Sequence, residues 1–114
     1  MSWSPEPNFA LILDALDHID LYRPASKAEF LASPLIQDGI VLRLQIIAEN
    51  LPQLREKDSD RFDRIAERSW HQVIGLRHRI THGYHMVDQE AIWQIASEEL
   101  VDFRRSIEGA VDTY

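Results

Sequence analysis

The sequence predicts an all-α fold, an up-and-down bundle of four to five helices with short connections. Three observations predict it. Apolar residues recur at helical spacing along most of the chain, capping signals open the stretches that carry them, and no strictly alternating strand pattern survives comparison with these stripes.

Asn8 is placed to cap a first helix, with Phe9, Ile12, Leu16 and Ile19 along one face. Arg23-Pro24 ends it, because the residue before proline disfavours the helical region. Ser26-Lys-Ala-Glu29 has the form of a capping box for a short helix. Ser33-Pro34 is a second start signal, a cap followed by proline at the first helical position. From there Ile36, Ile40, Leu44, Ile47 and Leu51 form a stripe, and Pro52 is expected to follow its end.

A further helix opens at Ser59, with Phe62, Ile65 and Ala66 facing inward. Ser69-Trp-His-Gln72 is another capping-box pattern, so a break near Arg68 is expected. Val73, Leu76 and Ile80 continue an apolar stripe, and Gly83 is placed to end it. Asp88 is placed to cap the last helix, in which Ile92, Ile95, Val101 and Phe103 face a core.

A chain of 114 residues with 45% hydrophobic and 27% charged side chains is expected to form one globular domain, residues 1–114. Without cysteine it has no disulfide, thiolate metal site or cysteine nucleophile, so its core must suffice alone or be completed by oligomerisation. No apolar run approaches bilayer length, and the first twenty residues lack the basic start of a signal peptide. A soluble cytoplasmic protein without membrane contact is the expectation.

The formal charge of −7 argues against non-specific nucleic-acid binding by the whole surface. It is unevenly spread: residues 55–85 hold seven Lys/Arg against five Asp/Glu, and the rest hold five against fourteen. Any anion-binding face is expected in that segment.

Within it, LRHRITHGYH (residues 76–85) admits several readings. Basic side chains near a helix end oppose the negative end of the dipole, which alone would account for Arg77, Arg79 and His82. His78 and His82 have the i, i+4 spacing of helical zinc ligands with His85 as a third. Arg79 stands where such motifs carry glutamate, however, and two arginines oppose a cation, so no metal is expected. Arg77, Arg79 and Tyr84 would also serve a passive clamp for phosphate and base.

A catalytic reading joins Arg77 to His82. On a continuous helix they lie about 140° apart, so they converge only if the helix ends between them. A neutral imidazole can take the proton of a ribose 2′-hydroxyl, and a guanidinium can hold the scissile phosphate and stabilise its transition-state charge. The pair needs no metal and no cofactor. Two copies related by a dimer axis would supply both the base and the acid.

IGLRHRITHGYHMVD resembles the Arg-x4-His-x-Tyr signature of the HepT-like HEPN toxins, with Arg77, His82 and Tyr84 on the defining positions. SWHQVIGLR resembles the family's lead-in through Trp70, Ile74 (shifted by one) and Gly75. QDGIVLRLQIIAENL is similar to its second long helix, with Asp38, Arg43 and Glu49, and VDQEAIWQIASEEL to its last, with Asp88 and Trp93. The resemblance covers about residues 8–108. It departs from the family at His78, where the motif arginine is usually followed by Asn.

The resemblance implies a homodimer of HEPN-like helical domains whose motifs meet in an interface cleft. It implies a toxin that is a metal-independent endoribonuclease leaving a 2′,3′-cyclic phosphate, with Arg77 and His82 catalytic and His78 and Arg79 binding or supporting the RNA substrate. It also implies a cognate nucleotidyltransferase antitoxin that silences the toxin by adding AMP to Tyr84. The alternative is a non-catalytic helical adaptor that binds a nucleotidyltransferase and presents nucleotide or substrate to it.

Overall fold

Four helices, pointing alternately up and down, close around one apolar core in the computed structural model. The described residues are 3–76, 79, 81–82 and 86–114, with Thr81, His82 and Met86 described for their backbone only. The helices are α1 (Glu6–Tyr22), α2 (Lys27–Leu31), α3 (Pro34–Lys57), α4 (Ser59–Ile65), α5 (Arg68–Ile74), α6 (Gln89–Gln94) and α7 (Leu100–Ala110). A π-helical turn, Ile95–Glu99, joins α6 to α7. Two short strands, β1 (Thr81–His82) and β2 (Met86–Val87), pair antiparallel with Thr81 opposite Val87 and His82 opposite Met86.

α1 packs on α3 and α7, and α5 packs on the same two helices, so the four form a ring. Cross-contacts fix their directions. Asn8 meets Asn50 and Gln53 while Tyr22 lies against Gly39, so α1 and α3 are antiparallel. Trp70 meets Ser106 and Arg79 meets Glu99, so the chain from α5 onward runs opposite to α7. Phe9, Ile12, Leu16 and Ile19 of α1, Ile40, Leu44, Ile47 and Leu51 of α3, and Phe103 and Ile107 of α7 form the core. These are the apolar stripes at three- and four-residue spacing, turned inward because burial removes their surface from water.

The capping signals hold at three starts. Ser26 Oγ accepts from Glu29 N–H, Ser33 Oγ from Ile36 N–H, and Asp88 Oδ1 from Ala91 N–H, each satisfying a donor the helix leaves open. Arg23 ends α1 in extended backbone before Pro24, as expected.

Five expectations are corrected. Asn8 does not cap α1; the helix begins at Glu6, since prolines in a first turn cost no hydrogen bond, and Asn8 is buried inside it. Pro52 does not end α3, which runs on to Lys57 because Leu54, beyond the stripe, is fully buried. The break before α5 exists, but Ser69 is not its cap: extended Ala66 ends α4 and Glu67 precedes Arg68. Val101 faces outward, 55% exposed, while Leu100 takes the inward place. Finally, Gly83 is not the helix stop, since Thr81 and His82 are already in strand pairing with Met86 and Val87.

Candidate functional site

The segment that carries the predicted site leaves the bundle from α5. Trp70, Val73 and Leu76 are buried along one face, so the start of the segment is fixed in the core. Trp70 is the anchor: its ring meets Phe9 and Phe62 edge-on and stacks on Tyr114 at 6.2 Å. Its indole N–H donates to Ser106 Oγ at 2.7 Å, and that hydroxyl donates to Glu67 Oε1 at 2.9 Å. The buried indole therefore has its partner, and both ends of α5 are bound to α7 or the core.

Arg77 follows Leu76 directly and lies outside the described residues, as do His78, Ile80, Gly83, Tyr84 and His85. The backbone of His82 sits in β1 opposite Met86. Three residues, Gly83, Tyr84 and His85, separate His82 from Met86 in the sequence. Strand pairing begins at Thr81, which stands between Arg77 and His82 in the sequence.

Arg79 is described, and its guanidinium is engaged. Nη1 donates to Glu99 Oε1 at 2.6 Å and Nη2 to Glu99 Oε2 at 2.8 Å, a two-pronged fit of planar fork to carboxylate. Those hydrogen bonds raise the Arg79 pKa above its ordinary value, partial burial opposing them. With Glu99 on its charge, Arg79 has the geometry of a support and not of an open phosphate contact.

The Arg79–Glu99 pair was not legible in the sequence. Glu99 stands 20 positions from Arg79, and no local spacing joins the two. Its only sequence signal is an acid one position before the inward-facing Leu100.

The other residues of the family-like flanks have partners or places of their own on the bundle. Trp93 is half-buried and packs its ring on Phe30 at 5.6 Å. Arg43 lies over the Tyr22 ring, donates to the Tyr22 hydroxyl at 3.4 Å and pairs with Asp14 at 3.6 Å. Asp38 and Glu49 are exposed on α3. His18 Nδ1–H donates to the Asp14 carbonyl at 2.8 Å on α1.

Among the depressions over the described residues, two lie on the helices of the bundle. A polar cleft of about 730 Å³ between α5 and α7 mixes Arg68 and Arg105 with Glu67 and Asp102, so it offers a polyanion little net attraction. An apolar groove of about 500 Å³ lies over α1 and α3, lined by Tyr22, Leu35, Ile36, Gly39, Leu42 and Arg43. Gly39 lets the Tyr22 ring lie close against α3, since a Cβ there would stand 3.2 Å from it.

A family model described as ribonuclease HepT-like matches residues 12–110, from the middle of α1 to the end of α7. The chain belongs to the HepT-like ribonucleases. The match takes in parts of all four ring helices and the Arg77–Tyr84 segment together. Two relatives bear provisional names as RNases. One, from Methanocaldococcus jannaschii, is 22% identical over 100 residues, covering 88% of this chain and 89% of its own. The other, from Caldanaerobacter subterraneus subsp. tengcongensis, is 22% identical over 105 residues, covering 91% of each chain. No solved structure matches the chain at comparable significance. The HepT-like chain is thus an RNase by family, and among its described residues no helix is long and apolar enough to cross a membrane.

Proposed function

We propose that this HepT-like ribonuclease is the toxin of a toxin–antitoxin pair, a homodimeric endoribonuclease that cuts RNA without a metal. His82 takes the proton of a ribose 2′-hydroxyl, and the freed oxygen attacks the adjacent phosphorus. The bond from phosphorus to the 5′-oxygen breaks, leaving a 2′,3′-cyclic phosphate on one fragment. The departing oxygen takes a proton from an imidazolium, the His82 of the second copy, and becomes a 5′-hydroxyl. Arg77 holds the phosphate and balances charge on its oxygens. His78 is a further contact to phosphate or base, and Arg79 supports the segment.

The observation that carries this reading is the family match over residues 12–110, which takes in Arg77, His82 and Tyr84 in their signature spacing. The groove over α1 and α3 supports the dimer, because it leaves Leu35 84% and Leu42 53% exposed on one helix face. Silencing follows the same chemistry. The Tyr84 hydroxyl attacks the α-phosphorus of ATP held by a partner nucleotidyltransferase, and pyrophosphate leaves. The added AMP brings bulk and a negative charge close in sequence to His82, where it competes for Arg77.

The test is cleavage of a structured RNA in EDTA by purified protein and by Arg77→Ala and His82→Ala. Wild type is expected to cut, and each variant to lose between about a hundredfold and ten-thousandfold of the rate while folding normally. Cutting at full rate by either variant removes the assignment. No cutting by the folded, unmodified wild type favours the adaptor instead. Intact mass after incubation with the partner and ATP tests Tyr84: the AMP increment is expected in wild type and absent in Tyr84→Phe.

A further inference from the structure

The segment from Leu76 to Val87 carries the whole proposed site. Leu76 is buried at its start, and β1 pairs with β2 at its end. Between them, among the described residues, the tie to another helix is the Arg79–Glu99 fork. Arg79 is two residues from Arg77 and three from His82. A shift of Arg79 is passed along this short stretch of chain to both.

Glu99 is itself held from the opposite side. It closes the π-helical turn Ile95–Glu99, in which Ile95 and Ala96 are buried. The Ala96 carbonyl accepts from Arg23 Nη1 at 2.9 Å, and Arg23 pairs with Asp20 of α1 at 3.0 Å. The Ser97 hydroxyl donates to the Trp93 carbonyl at 2.6 Å. A rigid wide turn therefore aims a carboxylate at the segment, and π turns recur at functional sites.

We propose that Glu99 is a positioning residue for RNA cleavage: its carboxylate grips the Arg79 guanidinium and fixes where Arg77 and His82 stand. This rests on the ribonuclease mechanism proposed above. The pair is 41% and 22% exposed, so it contributes little to global stability. Its loss should therefore register in catalysis and local order while the fold persists. Two parallel hydrogen bonds need two carboxylate oxygens and a planar fork, so neither Gln at 99 nor Lys at 79 reproduces them.

The experiment measures steady-state cleavage of a fluorogenic RNA oligonucleotide by Glu99→Gln, Glu99→Ala, Arg79→Lys and the exchange Arg79→Glu with Glu99→Arg. Each single variant is expected to lose between about tenfold and a hundredfold in kcat, the cost of a small misplacement. KM should stay within about twofold, because substrate binding is not what the pair supplies. The exchange is expected to recover most of the loss. Wild-type kcat in Glu99→Gln and Glu99→Ala, a change confined to KM, or an exchange no better than the single variants would each overturn the proposal.

Amide hydrogen exchange gives a readout free of activity. The peptide spanning 76–87 should exchange faster in Glu99→Gln, with α1 and α3 unchanged. Unchanged exchange there overturns the clamp even if wild type cuts no RNA. A wild type that cuts no RNA but shows that local acceleration overturns the ribonuclease mechanism and leaves the grip established.

Discussion

Asn8 and Asn50 meet side chain to side chain inside the α1–α3 interface, the Asn8 amide donating to Asn50 Oδ1 at 3.2 Å. The same amide donates to Gln53 Oε1 at 2.9 Å, and Asn50 Nδ2 donates to the Ile46 carbonyl at 2.8 Å. Both asparagines are buried, at 6% and 8% exposure, so their hydrogen bonds have no water to replace them. Asn8→Ala is expected to cost about 1–3 kcal/mol, because it strands the Asn50 oxygen. Replacing both Asn8 and Asn50 with Leu should cost less than the sum of the two single Leu variants. Urea unfolding of the four proteins checks it; additive losses would show that the pair is not coupled.

Pro52 sits within α3 with no N–H to offer the Ala48 carbonyl. Pro52→Ala restores that donor and a better helix former, against some gain in unfolded-chain freedom. The variant is expected to be more stable by about 1–2 kcal/mol, read from its urea midpoint at unchanged slope. A lower midpoint would mean that the ring's own packing outweighs the missing bond.

Tyr114 packs on Phe9 and Trp70, and its hydroxyl is buried without a hydrogen-bond partner among the described residues. Burial, with help from Asp58, raises its pKa, while Arg61 opposes the rise. The folded state therefore keeps the phenol protonated where the free side chain ionises. Its contribution to stability is fully present below about pH 10 and is lost as pH rises through the folded value. Tyr114→Phe should match or exceed wild type in stability at neutral pH, and the gap in its favour should widen above about pH 10. Thermal unfolding at neutral and alkaline pH measures both; a gap that narrows reverses the sign.

Leu35 and Leu42 stand one face apart from the core, both exposed over the groove on α3. Glu at both positions should leave folding stability within about 0.5 kcal/mol of wild type, because neither is buried in the single chain. If the groove closes a dimer, sedimentation should give a two-chain mass for wild type and a one-chain mass for the variant. Cleavage should fall with dimerisation, since one imidazole then lacks its counterpart. An unchanged two-chain mass would move the interface elsewhere.

The sequence made the ring of helices readable because each stripe had one side to bury. Phe9 to Ile19 and Ile36 to Leu51 repeat at the helical period, and Ser26, Ser33 and Asp88 mark the starts of α2, α3 and α6 by local chemistry. Errors arose where tertiary contacts override a local rule. Asn8 looks like a cap until Asn50 and Gln53, more than forty residues away, are brought to it. Pro52 looks like a stop until Leu54 is found buried beyond it. Gly83 looks like a stop because nothing local announces a two-residue strand pair. Of the proposed site, Arg77, His82 and Tyr84 are visible as a spacing, whereas the pairing of Glu99 with Arg79 becomes visible only in the fold.

The π turn at Ile95–Glu99 has a consequence for insertions and deletions. A π turn is an α-helix that has taken in one extra residue. Deleting Ser97 or Glu98 should let α6 and α7 join as one regular helix without disturbing the inward stripe on either side. What such a shortened chain should lose is the aim of Glu99. A one-residue deletion would then separate a fold that survives from an RNase whose working segment is no longer gripped.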